Sequence, residues 1–423
     1  MLEISRIREN SKQIAERLKI KNFNAAGYID KLLEVDAKRR ETQKNLDDTL
    51  AESNTISKQI GELYKTGQAD KANELKQRTS ELKQTTKDLS ARLDEFEKEQ
   101  NDILVLLPNI PHEKVPAGKT VEDNEIVYSE GEALDIGKEA LPHWDIAAKY
   151  DIIDFELGTK ITGAGFPLYK GKGAKLQRAL ISFFLEEAIN AGYTEYQPPL
   201  MVNEASAFAT GQLPDKDGQM YHVGIDNFYL IPTAEVPITN IFRDVILNEK
   251  ELPLKCTAYS QCFRREAGSY GKDVRGLNRL HQFDKVEIVQ ITHPDKSYEA
   301  LEDMNEYVQG ILRKLELPFR VARLCGGDIS FASAMTYDME AWSAAQKRWL
   351  EVSSVSNFEA FQSNRMKLRF KKSDGKTQLA HTLNGSALAL PRIMAALLEN
   401  NQTEKGIKIP QALVKYTGFE FVD

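Results

Sequence analysis

A chain of 423 residues with 41% hydrophobic and 28% charged residues is too long for one ordinary core and too apolar for disorder, so two folded domains are expected. A formal net charge of -7 excludes a sequence-blind polyanion binder with a broad basic surface, so any nucleic-acid partner must meet local patches. No apolar run approaches the ~20 residues of a membrane span, and the three cysteines (Cys256, Cys262, Cys325) form neither a disulfide framework nor a CxxC pair, so a cytoplasmic chain with no signal peptide and no membrane partner is expected.

From about Phe23 to Leu104 the chain is rich in Glu, Lys, Gln, Asp, Arg and Leu and has no proline, a long-helix composition. Leu75, Leu82, Leu89 and Phe96 recur at heptad spacing with Leu93 between them, while the first half carries a looser set from Ile29 to Leu63. Gly67 supplies a residue able to end a helix in a left-handed backbone, and Asp70 is the expected N-cap of the next helix. The pattern predicts an antiparallel coiled-coil hairpin, a rod on the order of 50 Å long with no compact core. Its balanced charge also suits a solvated coiled coil serving oligomerisation or spacing, and Lys38-Arg39-Arg40 is a weak candidate for phosphate contact.

The proline-punctuated stretch Leu107 to Pro116 reads as a linker, giving a helical domain over 1–110 and a second domain over 111–423. Beyond it, β-branched and aromatic runs alternate with helical ones. Strands over Phe228 to Ile231, Lys255 to Phe263 and Gln282 to Ile291 look sequentially antiparallel, so the fold class is α+β. No GxxxxGK[ST] occurs, and neither Gly163-Ala-Gly165 nor Gly171-Lys-Gly173 extends to GxGxxG, so a nucleotide would have to be held by side chains.

The stretch Cys262 to Glu287 reads as two strands around a Gly-rich loop. Period-two alternation groups Arg264 with Glu266 and Phe283 with Glu287, which could present two carboxylates, an arginine fork for phosphate and an aromatic plate for a base to one pocket. An exposed salt-bridged hairpin explains the same alternation. Thr233 and Glu235 lie in the proline-bounded loop Pro232-Thr-Ala-Glu-Val-Pro237, and Asn384-Gly-Ser-Ala-Leu-Ala-Leu-Pro-Arg392 opens an apolar helix.

Together these stretches resemble the seryl-tRNA synthetase family of bacterial type, with its class II signatures FRxEAGSxGxDxRGLxRxHQF, PTAE and an NGSxLAxxR helix, over nearly the whole chain. The resemblance implies an antiparallel-sheet class II catalytic domain preceded by a coiled-coil arm that binds tRNA. It implies ATP-dependent attachment of L-serine to tRNA(Ser) through seryl-adenylate, and to tRNA(Sec) where the organism has one. By the same resemblance Thr233, Glu235, Glu287 and Ser386 form the serine pocket, Arg264 and Arg392 are catalytic, and Phe283 stacks adenine. Glu266, Arg279 and Arg392 hold the triphosphate, with Arg264, Leu280 and the stretch Glu351, Val352, Ser353 and Ser354 also binding ATP. Arg265 goes with this stretch, although alternation turns it away from Arg264. Glu351 and Ser354 are the implied Mg²⁺ ligands, which requires a bulge or strand end between them because a spacing of three puts them on opposite faces of a regular strand. Leu176 to Pro199 matches the dimer-forming first signature, so a homodimer is implied; no zinc-ligand spacing occurs. Ala387 and Pro391 replace usual glycines, and Pro391 requires the last helix to begin near Leu390. Rival readings are a paralogue loading an amino acid onto a carrier protein, a non-catalytic synthetase-like binding protein, and a coiled-coil interaction protein.

Overall fold

The computed structural model describes residues 1–137, 139–267 and 275–423. Two compact units are present, one of Met1–Lys19 and Phe23–Pro108, the other of Ile20–Asn22 and Asn109–Asp423.

In the first unit α1 (Ile4–Leu18) is followed by α2 (Ala26–Lys65) and α3 (Ala69–Leu104), which pair as a hairpin. The inward stripe of α3 runs Ala72, Leu75, Thr79, Leu82, Thr86, Leu89, Leu93, Phe96 and Gln100, alternating steps of three and four. Polar Thr79 and Thr86 in that stripe explain why the heptad is thin in the sequence. Gly67 takes φ +75° at the turn. The N-cap is Gln68, and Asp70 sits in the first turn of α3, where its charge still faces the helix dipole favourably. Interhelical pairs Lys31–Glu99 and Arg78–Glu52, both 2.9 Å, fix the register. The basic cluster is engaged locally. Asp36, fully buried, takes Arg40 at 3.0 Å, Arg8 at 3.2 Å and Arg39 at 3.7 Å, and Lys38 pairs with Glu34 at 2.6 Å. A buried carboxylate needs such partners, and this demand binds the arginines read as phosphate contacts.

The second unit is built on an eight-stranded sheet of β1 (Glu125–Glu130), β2 (Thr194–Glu195), β3 (Leu254–Phe263), β4 (Gln282–Thr292), β5 (Phe319–Arg323), β6 (Met335–Ser343), β7 (Arg348–Asn357) and β8 (His381–Ala389). The order is β1-β5-β6-β7-β8-β4-β3-β2, antiparallel except for the β2–β3 pair. Helices α4 (Gly171–Asn190), α5 (Ser297–Lys314) and α6 (Leu390–Asn400) contribute Leu180, Phe184, Met304, Val308, Met394 and Leu397 to one core with Val286, Ile288, Met339 and Val355 of the sheet. Alternation along β4 then sends Phe283, Lys285 and Glu287 to the other face. Part of that face is covered by a second cluster, in which Ile238, Met366 and Phe370 pack on Cys256, Ala258, Val289 and Ile291.

Two local expectations are corrected, and the start of the last helix is as expected. Phe228–Leu230 lies in a separate three-stranded sheet with Met201–Asn203 and His222–Val223, although Ile231 still accepts a backbone bond from Phe263. β3 ends at Phe263, so Arg264 and Glu266 are not alternating strand residues; Glu266 has φ +49°, which breaks the extended backbone. The Gly-rich loop read between them and Arg275 falls on 268–274, outside the described residues. The last helix begins at Leu390 with Pro391 in its first turn, where its missing N–H removes no helical bond.

Candidate functional site

Sequence-distant residues meet on the open face of the sheet. β3 and β4 pair with Phe283 opposite Cys262 and Glu287 opposite Ala258, and β8 brings Ser386 opposite Glu287. The segment before the short helix Glu235–Asn240 lies over them. Thr233 Oγ1 donates to Glu287 at 3.1 Å, and the Glu235 amide donates back to Thr233 Oγ1 at 3.2 Å.

Thr233, Glu235, Glu287 and Ser386 are all buried. Glu287 pairs with Lys285 at 2.5 Å, and Glu235 accepts from Gln362 at 2.6 Å. Burial, reinforced by the nearby Glu287 charge, pushes the Glu235 carboxyl up to about 7. Burial also raises Glu287, against the pull of Lys285 and Thr233. The pocket thus holds two carboxylates and only one ammonium, leaving a deficit that a cationic ligand group would fill.

Arg264 stands at the pocket edge, its guanidinium 5.2 Å over the Phe283 ring and its Nε donating to the Pro232 carbonyl at 3.4 Å. Its backbone amide bonds His281, whereas that of Arg265 bonds Gln219, so the two diverge and Arg265 is exposed. Arg279 pairs with Glu266. Arg392, near the start of α6, donates to the carbonyls of Asn278 at 3.0 Å and Glu351 at 2.8 Å and lies 3.2 Å from the Glu351 carboxylate. Leu280 and Val352 have their side chains in the helix-covered core, leaving only backbone for a ligand. Ser353 is buried, and its hydroxyl crosslinks to the Ser386 carbonyl.

Between β6 and β7 the register shifts, with Met339 opposite Ser353 and Glu340 opposite Glu351. This bulge brings Glu351 and Ser354 onto the lining of one cavity of about 660 Å³, shared with Asp338, Glu340, Arg320 and Thr336. Asp338 is pushed well above the carboxylate range by burial and by Glu351, and its Oδ1 is buried with no partner. That orphaned oxygen beside Ser354 and Glu351 makes an all-oxygen donor set suited to a hard divalent cation. Among the described residues no group of three or more His, Cys, Asp or Glu forms a complete cage, so a cation here would need oxygens from its ligand.

Sequence reasoning missed Lys285, Gln362, Asn384 and Asp338. Lys285 was accessible by period two between Phe283 and Glu287, and Asn384 was quoted without a role; it hydrogen-bonds Glu235. Gln362 and Asp338 carry no local signal, because only the tertiary pairing brings them in.

The family described as seryl-tRNA synthetase N-terminal domain matches residues 1–111, and that described as tRNA synthetase class II core domain (G, H, P, S and T) matches 221–401. The chain is 49% identical over 421 residues to a serine–tRNA ligase of Salinibacter ruber, spanning 99% of this chain and 98% of the relative. It is similar to the crystal structure of seryl-tRNA synthetase from Pyrococcus horikoshii complexed with ATP, with a TM-score of 0.92 and 33% identity, covering 99% of each chain. It is also similar to the cytoplasmic serine–tRNA ligase of Naegleria fowleri in complex with AMP, with a TM-score of 0.88 and 27% identity over 100% of this chain and 99% of that one.

Proposed function

The chain belongs to the seryl-tRNA synthetase family and joins serine to tRNA at the expense of ATP, and on that premise we propose how its residues divide the work. Thr233, Glu235, Glu287 and Ser386 hold serine. The observation that carries this is the buried pair of raised carboxylates with one lysine between them, which a substrate ammonium completes. Hydrogen-bonding groups that await a hydroxyl would be left unpaired by alanine, which is how such a pocket rejects it.

Arg264 spans the edge between this pocket and the Phe283 plate, where it pairs the serine carboxylate with the α-phosphate while Phe283 stacks adenine. The carboxylate attacks the α-phosphorus, the bond to the β-phosphate oxygen breaks, and pyrophosphate leaves; a terminal ribose hydroxyl of tRNA then displaces AMP from the adenylate. Arg392, Arg279 and Glu266 position the triphosphate and its counter-charge. Catalysis is positioning plus compensation of phosphoryl charge, and no covalent enzyme intermediate is needed. Glu351 and Ser354, with Asp338 beside them, fit Mg²⁺, which when bound would neutralise phosphate charge.

The hairpin of the first unit is assigned to tRNA, residues 1–110 acting as the arm and 111–423 as the catalytic domain. Removing residues 45–88 and rejoining the helices with a short Gly-Ser turn is expected to leave serine-dependent pyrophosphate exchange within about threefold of the full chain while tRNA charging falls at least about a hundredfold, the loss expected when several phosphate contacts vanish. Equal loss of both activities contradicts the division. We assign a homodimer through α4 and the strand after it, where Ile189, Tyr196, Leu200 and Met201 are exposed around the sheet edge. Light scattering should therefore give twice the chain mass, and a monomer mass opposes the assignment. Among the described residues no helix is long and apolar enough to cross a membrane. By family membership the enzyme is assigned to the cytoplasm. A selenocysteine tRNA, where the cell has one, would meet the same arm.

The Glu235 carboxyl gives a pH signature. Protonation is favoured in the folded chain, so this group's contribution to stability is full below about 4.5 and is lost as pH rises to about 7. An ammonium pairs only with the ionised form, so serine affinity moves the opposite way. The KM for serine is expected to fall between about pH 6 and 8 and level off above. Glu235→Gln should flatten the profile; a wild-type KM that is constant over this range contradicts the assignment.

A further inference from the structure

Resting on the ATP-site reading above, we propose that His143, held by Glu399, is a positioning residue that aims Asn278 and Arg279 at the nucleotide. His143 opens the short helix His143–Lys149, remote in sequence from every site residue, and is fully buried. Its Nδ1 lies 2.8 Å from Glu399 Oε1, and its Nε2 accepts the Leu277 amide at 2.8 Å. A backbone amide only donates, so Nε2 carries no proton and Nδ1–H is given to Glu399; the carboxylate sets the tautomer that receives the loop. Glu399 is itself fixed at the end of α6 by the His143 amide at 3.0 Å, by Ser343 and by Gln346 at 2.9 Å, and against burial the bonds from the His143 ring, Ser343 and the His143 amide hold its carboxyl below the usual range.

The consequence falls on three consecutive residues. Leu277 is held by His143, and Asn278 by Gln346 through its side chain at 2.9 Å and by Arg392 through its carbonyl at 3.0 Å. Arg279, next in line, then meets Glu266. The approach is close enough to require glycine beside it. Gly276 has φ +66°, and a Cβ there would lie 2.3 Å from His143 Nε2. Arg275 stacks 4.5 Å over Trp144, next to His143. α6 thus supplies the chemistry at one end through Arg392 and the support at the other through Glu399, with the imidazole carrying that support to Arg279.

The test is steady-state ATP–pyrophosphate exchange with the full chain, varying ATP and serine separately. His143→Asn keeps a donor for Glu399 but cannot reach Leu277, whereas His143→Gln places an oxygen near Nε2. The Asn variant is expected to raise the KM for ATP about tenfold with the KM for serine changed less than about twofold, and the Gln variant to recover most of that loss. An unchanged KM for ATP in the Asn variant, a parallel rise for serine, or a Gln variant no better than Asn overturns the proposal. Should the Asn variant not fold, Gln346→Ala cuts the tether on Asn278 and, although it also removes one contact to Glu399, keeps the His143 side chain and its bonds to Glu399 and Leu277. It must still raise the KM for ATP, and an unchanged value is equally fatal. Absence of exchange in the wild-type chain would strike the underlying reading instead.

Discussion

Arg264→Ala is expected to lower serine-dependent pyrophosphate exchange by roughly a hundred- to a thousandfold, the scale of removing one preorganised donor from a developing charge. The guanidinium is already stationed over Phe283 and anchored to the Pro232 carbonyl, so it opposes the α-phosphate without reorganising. Arg264→Lys keeps the charge but loses the planar fork and the stacking surface, and should recover only a small part of the rate. Because the residue is half-buried and its side-chain anchors, the Phe283 ring and a long 3.4 Å bond to the Pro232 carbonyl, lie at the pocket edge, thermal unfolding should barely move. Loss of activity accompanied by an equal loss of folded protein would mean that Arg264 is structural.

The second large effect is on stability and serine binding together. Glu287→Ala leaves the Lys285 ammonium, 7% exposed, with no carboxylate at 2.5 Å, and breaking a buried pair in this one-sided way costs about 3–5 kcal/mol. Denaturant unfolding should show that loss, and exchange should fall below detection. Glu287→Ala combined with Lys285→Met removes both charges, so most of the stability should return while serine activation does not. Return of activity in the double variant would show that Glu287 serves only to neutralise Lys285.

What could be read from the sequence, and what could not, follows from the range of the interactions. The hairpin was legible because heptads and Gly67 are local signals, and the bulge between Glu351 and Ser354 was legible because residues three positions apart cannot share a face of a regular strand. The extended reading of Arg264 and Glu266 failed because period two was continued past Phe263, where the positive φ of Glu266 ends the strand. The phosphate reading of Arg39 and Arg40 overlooked Asp36, whose burial depends on α1 and α3 packing on α2. Asp338, Gln362 and His143 stayed invisible for a related reason. Each acts through a partner more than twelve residues away, and no spacing rule reaches that far.

The most direct test of the account is amino-acid-dependent ATP–pyrophosphate exchange by the purified chain with serine, threonine, alanine and glycine offered separately. A pocket of two raised carboxylates around Lys285, closed by Thr233 and Ser386, predicts exchange with serine at least about a hundredfold above alanine and glycine, since a buried hydroxyl site left unpaired penalises the analogue that lacks it, whereas threonine keeps the hydroxyl and is opposed only by the room its extra methyl needs. Comparable exchange with alanine, or none with serine, would contradict the assignment of this pocket as the place where the substrate is read.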